Sequence, residues 1–150
     1  MGFSCEGGAG VGAAEVVARG LAACGYSNVF SSVPSGRACA EPIVVRPAGW
    51  EREARFADGV ERGREKVRVH VCMDCECDAV ATAAGVRRDL ARVDWLGVSV
   101  GCGAFRAASG VRVLEVDCGG VEELGRDGSG RWVVSVLVEC VVVLMGDVDA

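Results

Sequence analysis

"KVRVHVCMDCECDAVATAAGVRRDLARVD", residues 66 to 94, decides how the rest of this 150-residue chain is read. Its first ten residues alternate. Val67, Val69, Val71, Met73 and Cys75 fall on one side; Lys66, Arg68, His70, Cys72 and Asp74 fall on the other. Alternation with period two predicts a strand with one buried face. The period then changes at Asp78, a residue type suited to the N-cap of a helix. Ala79, Ala83, Val86, Leu90 and Val93 step by four, three, four and three, which predicts an amphipathic helix over 78–94. Arg88, Asp89 and Arg92 lie off that stripe. A strand and a helix in succession, each with one apolar side, imply a sheet with helices packed on it.

Upstream, a helix is predicted from about Ala9 to Cys24, with Ala14, Val17, Leu21 and Cys24 as its apolar stripe. Gly25 is placed to stop it in the left-handed conformation. "YSNVFSSV" (26–33) is short and β-prone, and "PSGRACAEP" (34–42) is a loop. "IVV" (43–45) is a short strand closed by Pro47. The stretch 51–66 carries five acidic and five basic residues and is expected to be a solvated loop or extended hairpin. Downstream, 97–110 has no clear period. A strand is predicted over 111–118, a loop over 119–130 and a long strand over 131–144. Residues 1–8 and 146–150 are expected to be flexible. The expected fold class is α+β. A mostly antiparallel sheet of about four to five strands carries two main helices on one face, in a single domain over 1–150.

Composition narrows the function classes. With 51% hydrophobic and 25% charged residues the chain can bury a core. A formal net charge of −5 argues against a dedicated sequence-specific nucleic-acid binder, which usually presents a basic face. The longest apolar run, 133–145, is interrupted by Ser135 and Glu139, so no membrane span is expected. The first residues lack a basic segment followed by an apolar one, so no signal peptide is expected. The nine cysteines are an odd number and are expected to be reduced thiols packed as small hydrophobes. Lys66 is the only lysine among 16 basic residues, a skew that reflects coding composition more than chemistry.

The cysteine cluster is the obvious place to look for chemistry. Cys72, Cys75 and Cys77 lie within six residues, beside the chain's only histidine, His70. A zinc site needs four ligands converging tetrahedrally, commonly from two Cys pairs or a Cys and a His pair. Here there is one Cys-x-x-Cys, and strand alternation places Cys72 opposite to Cys75 and Cys77. No metal and no cofactor are therefore expected. The alternative is a small intracellular thiol or zinc-binding domain using Cys72, Cys75 and Cys77. A redox pair of the thioredoxin type is disfavoured by Glu76 and Asp78, whose charges raise thiol pKa. His70 and Cys72 share a strand face but sit about 6.5 to 7 Å apart at the backbone, with no oxyanion hole in view. "GAGVG" (8–12) has no preceding strand and lacks the last glycine of a dinucleotide loop. No catalytic residue is assigned.

The order of motifs resembles a known family. "EREARFADGVERGREKVRVHVCMDCECDAVATAAGVRRDLARVDW" is similar to the central block of long-tailed phage tail terminator proteins, also called minor capsid or tail completion proteins. In that family a charged loop leads to a long strand, then a helix that begins near a D-A pair and ends in R-x-x-L. The matching positions are Asp78, Ala79, Arg87 and Leu90. "GRDGSGRWVVSVLVECVVV" is similar to the family's G-R-W lead into a final strand, at Gly130, Arg131 and Trp132. "IVVRPAGWE" (43–51) fits the strand before the charged loop. The resemblance spans about residues 10 to 145. It implies a structural protein of a phage or prophage virion, without cofactor or catalysis. Such a protein forms a homo-oligomeric ring, typically a hexamer, that caps the tail tube and joins it to the head. The implied partners are the major tail protein and a head-completion protein, in a bacterial host cytoplasm during assembly and then at the head–tail junction. Another head–tail connector is the nearest variant of this reading.

The final strand gives a site for that assembly. Trp132, Val134, Val136, Val138, Cys140 and Val142 form one face, and Val133, Leu137, Val141 and Val143 the other, broken only by Ser135 and Glu139. Two helices on one side leave the second apolar face in need of a cover. Val133, Leu137, Val141 and Val143 are the expected subunit interface.

Overall fold

The computed structural model describes residues 10–31, 41–100 and 110–145. The expectations for 1–8, 146–150, most of the 34–42 loop and residues 101–109 lie outside the described residues. The element order is α1 (Ala13–Ala23), β1 (Val29–Phe30), β2 (Ile43–Arg55), β3 (Glu61–Met73), α2 (Glu76–Leu90), α3 (Trp95–Val100), β4 (Val111–Arg126) and β5 (Trp132–Leu144). The strands form one sheet in the order β1-β2-β3-β5-β4. Only the short β1 runs parallel to its neighbour; the other pairings are antiparallel. The α+β class expected from the alternation is the observed one.

The central pair is set by side-chain parity. Val67, Val69 and Val71 of β3 lie opposite Val138, Val136 and Val134 of β5. All six are buried under the helices. Helix α2 meets them through Ala79, Ala83, Val86 and Leu90, the predicted stripe, each fully buried. Its start differs from expectation. The N-cap is Cys75, in extended conformation, and Asp78 lies in the first turn with Glu76. Carboxylates in a first turn complement the helix dipole as well as a cap does, which is why the sequence signal was shifted by three residues. The helix ends at Leu90 rather than Asp94, and Val93 packs on the core from the following turn.

Helix α1 is shorter and rotated relative to the predicted stripe. Ala13, Val16, Val17, Gly20 and Leu21 face the core, while Cys24 is the exposed C-cap. The rotation follows from Gly20. A Cβ there would lie 2.7 Å from the Trp95 ring, so the missing side chain makes room for the indole. Trp95 in turn donates its indole N–H to the Leu90 carbonyl at 3.1 Å, which pins α3 to the end of α2. Gly25 has φ 106°, as expected of a residue ending the helix in the left-handed region.

Two strands run further than predicted. β2 continues through Pro47 to Arg55, because beyond Val44 it has no described strand on its outer side and the missing proline N–H leaves no ladder bond unmade there. A bulge between Pro47 and Gly49 absorbs the irregularity. The balanced charged stretch is thus a long β2–β3 hairpin, with Phe56 N–H bonded to the Val60 carbonyl at its tip. β4 continues through Gly119 and Gly120 to Arg126, with the glycine pair taken up in a bulge between Cys118 and Val121. What was expected as loop 119–130 is mostly strand, and only residues 127–131 turn. There the Asp127 carboxylate accepts hydrogen bonds from the Ser129 and Arg131 N–H groups at 2.9 and 3.0 Å.

Candidate functional site

The helices cover one face of the sheet, and the opposite face is built from residues of the other parity. β5 contributes Val133, Leu137, Val141 and Val143 to it, all half-buried, together with Ser135 and Glu139. The register then supplies what the sequence alone did not show. On one side of β5 stands a row of cations from β3: Arg62, Arg64, Lys66 and Arg68. On the other side β4 presents Arg112 at one end, followed by Glu115, Asp117 and Glu122. The apolar strip is therefore one strand wide, bordered by basic and acidic rows.

Ion pairs tie the borders together. Arg64 reaches Glu53 at 2.9 Å and Glu139 at 3.7 Å. Arg68 reaches Glu122 at 3.5 Å, spanning β5. Exposed pairs of this kind contribute little to stability, so their value lies in the pattern of charge they leave. Arg46 of β2 lies directly opposite Arg68, and among the described residues it has no ion pair. This positive field is felt by His70, whose pKa is held below the usual imidazole value by burial first and then by Arg46 and Arg68. His70 pairs directly with Ser135 in the ladder. The His70 Nδ1 and Ser135 Oγ atoms are both buried without a hydrogen-bond partner among the described residues.

The three clustered cysteines are not brought together on a strand. Cys72 is buried in β3, on the helix-free face opposite Val133. Cys75 is the N-cap of α2 and Cys77 lies in its first turn, both exposed. The strand ends at Met73, so the expected alternation of Cys75 and Cys77 with Cys72 is replaced by a strand-to-helix junction. Burial pushes the Cys72 thiol up, with Asp127 adding to the effect and Arg131 opposing it. The Cys140 thiol in the core is pushed up to about 12 by burial and then by Glu65. Among the described residues no three His, Cys, Asp or Glu side chains are grouped so as to hold a metal ion.

Sequence reasoning missed Glu65, taken as one charge in a solvated stretch. It is fully buried on the helix-covered face. Its carboxylate accepts hydrogen bonds from the backbone N–H of Val11 at 3.2 Å and of Ala13 at 3.0 Å. The N-cap of α1 is Gly12, with φ 113° and no side chain to cap the helix. Glu65 supplies the acceptor from the sheet instead, at the positive end of the helix dipole. Gly10 is required beside it, since a Cβ there would collide with the carboxylate and Pro47. Burial still raises the Glu65 pKa, against the lowering effect of the two N–H donors. Counting parity back from Val67 puts Glu65 inside, and that was the available signal. An open cleft of about 400 Å³ lies above it, lined in part by Gly12, Ala18, Val45 and Pro47. The described contacts of the carboxylate are these backbone N–H groups, so its evident role is to fix α1.

Comparison of the sequence with protein-family models and with curated proteins finds no match. Among solved structures, the fold is similar to a chain of the virion of native gene transfer agent (GTA) particle. The TM-score is 0.59 at 14% identity, over 87% of this chain and 93% of that one. At that identity the likeness establishes a common fold, extending over nearly the whole of both chains.

Proposed function

We propose that this chain is a structural protein of a phage or prophage virion, and specifically a tail terminator. In this reading, copies form a ring, a hexamer in the form the motifs imply, that caps the tail tube and meets a head-completion protein at the head–tail junction. The single observation that carries the reading is the fold shared along nearly its whole length with a chain of a virion particle. The motifs around Asp78, Leu90 and Trp132 support the finer assignment, since they occupy the helix start, helix end and final strand that the terminator resemblance requires. The reading assigns the chain no catalytic step and no cofactor.

The helix-free face supplies the contact surface. Val133, Leu137, Val141 and Val143 leave an apolar strip that a neighbouring copy or the tube end covers. Assembly takes place in the bacterial cytoplasm, and the finished ring stays with the virion. Mixing the purified protein with tail tubes of the same phage or prophage, followed by electron microscopy, tests this. Density at one end of the tubes supports the assignment. Tubes that remain bare at saturating protein remove it.

A further inference from the structure

The charge rows of the helix-free face are laid out across the sheet from one edge to the other. On β2, the edge side, Val44, Arg46, Gly49, Glu51 and Ala54 pair with the β3 residues of that parity. Gly49 and Ala54 lie opposite Lys66 and Arg62, so small residues stand beside the long β3 cations on the edge side. Arg46, Arg62 and Lys66 have no ion pair among the described residues, and Arg46 faces Arg68 across the ladder. Like charges directly opposite each other destabilise a sheet, and Glu122 offsets only the Arg68 member of this pair. At the other edge, Glu115 and Asp117 of β4 are exposed and likewise lack an ion pair among the described residues. Glu51 on the β2 side and Arg112 on the β4 side are the exceptions among the described residues paired in the ladder, so on this face the β2–β3 edge carries an excess of cations and the β4 edge an excess of anions.

We infer that copies of this chain associate head to tail, with the acidic β4 edge of one copy set against the basic β2–β3 edge of the next. The partner is a second copy, because the complementary charge is already present on this chain at the opposite edge. A heterologous contact of this kind repeats around a ring, whereas an isologous one stops at a dimer. The contact is made by side chains. Pro47 and the bulge beside it break the β2 edge, and three bulges break β4, which are devices that block continuous strand addition. The exposed Leu114 of β4 sits at one of those bulges and adds an apolar contact next to Glu115. The inference deepens the ring reading and rests on it.

The test uses two charge-reversed full-length variants, Glu115→Lys/Asp117→Lys and Arg46→Glu/Lys66→Glu, with light scattering as the readout. All four side chains are exposed, and a thermal melt of each variant checks that it folds. Each variant alone juxtaposes like charges and is expected to self-associate about tenfold or more weakly than wild type. An equimolar mixture restores opposite charges at every junction and is expected to recover assemblies larger than a dimer. Raising the salt is expected to weaken wild-type assembly. Variants that assemble as wild type does, or a mixture that fails to recover, overturn the inference. A mixture that stops at heterodimers overturns the head-to-tail arrangement. Duplex DNA bound by wild type and lost in Arg46→Glu/Lys66→Glu, with assembly intact, overturns it in favour of a polyanion partner. In the first and last of these outcomes a ring persists, so the ring reading survives. A wild-type protein that assembles neither in solution nor on the ends of tail tubes removes the ring reading itself.

Discussion

The Glu65 carboxylate accepts a 3.0 Å hydrogen bond from the Ala13 backbone N–H, so the cap of α1 comes from the middle of the sheet, 52 residues further along the chain. This single contact joins the start of the helical layer to the central strand pair. Replacing Glu65 with Leu leaves the Val11 and Ala13 donors without an acceptor. Unsatisfied buried donors cost about 1 to 3 kcal/mol each, and denaturant unfolding is expected to report a loss of that order. Glu65→Gln retains an acceptor oxygen and is expected to lose less. Equal losses from Leu and Gln would show that charge, rather than the hydrogen bonds, holds the helix.

Glu65 and His70 give opposite pH dependences. The folded Glu65 pKa is raised, so the native state binds its proton more readily than the unfolded chain does. Its contribution is fully present below the ordinary carboxylate value of 4.5 and is lost as pH rises through the folded value. The folded His70 pKa is lowered from 6.5, so the unfolded chain takes up that proton first. Stability from this group is full above 6.5 and lost as pH falls below it. Relative to wild type, His70→Gln is expected to hold its stability better on acidification below 6.5. Glu65→Gln is expected to lose the component that grows as pH drops toward 4.5. Melting curves from pH 4 to 8 check both, and slopes unchanged in either variant contradict the corresponding assignment.

Much of this architecture was legible in the sequence, and the failures have identifiable causes. Val67, Val69 and Val71 announced β3 because one face meets helices and the other meets solvent and charge. Ala79, Ala83, Val86 and Leu90 announced the buried side of α2 for the same reason. Pro47 and the Gly119–Gly120 pair were read as ends of strands, yet bulges carry both strands onward. Gly20 was left out of the α1 stripe because its contact with Trp95 depends on having no side chain. Glu65 was hidden among charges that are solvated. The apolar outer residues of β5 were visible, but the charged rows beside them appear only once the register is known.

Leu90 and Arg88 separate the two sides of α2. Leu90 is fully buried, and Leu90→Ala is expected to destabilise by about 2 to 5 kcal/mol. Arg88 is exposed and, among the described residues, ion-paired only with its neighbour Asp89, so Arg88→Ala is expected to stay within about 0.5 kcal/mol. Comparable losses in the two variants contradict the packing described.

Gly20→Ala tests the seat of Trp95. A methyl group raises helix propensity by about 1 kcal/mol but drives into the indole, and overpacking costs about 1 to 3 kcal/mol. Net destabilisation is expected, and it should shrink in a Trp95→Leu background. Additive effects in the double-mutant cycle would mean that the two residues do not meet.

The cysteine cluster is expected to carry no metal. Cys72 is buried in a strand while Cys75 and Cys77 are exposed at the start of α2. Elemental analysis of protein purified without added metal checks this. Zinc at one equivalent, lost in Cys72→Ser/Cys75→Ser, contradicts it.

The mass of the protein in solution tests the central claim most directly. Light scattering across a concentration series, alone and with purified tail tubes, is the measurement. The account predicts a closed species with the mass of six 15.5 kDa chains, formed either in free solution or on the tube end. A protein that stays monomeric at every concentration, and leaves the tube ends bare, contradicts it.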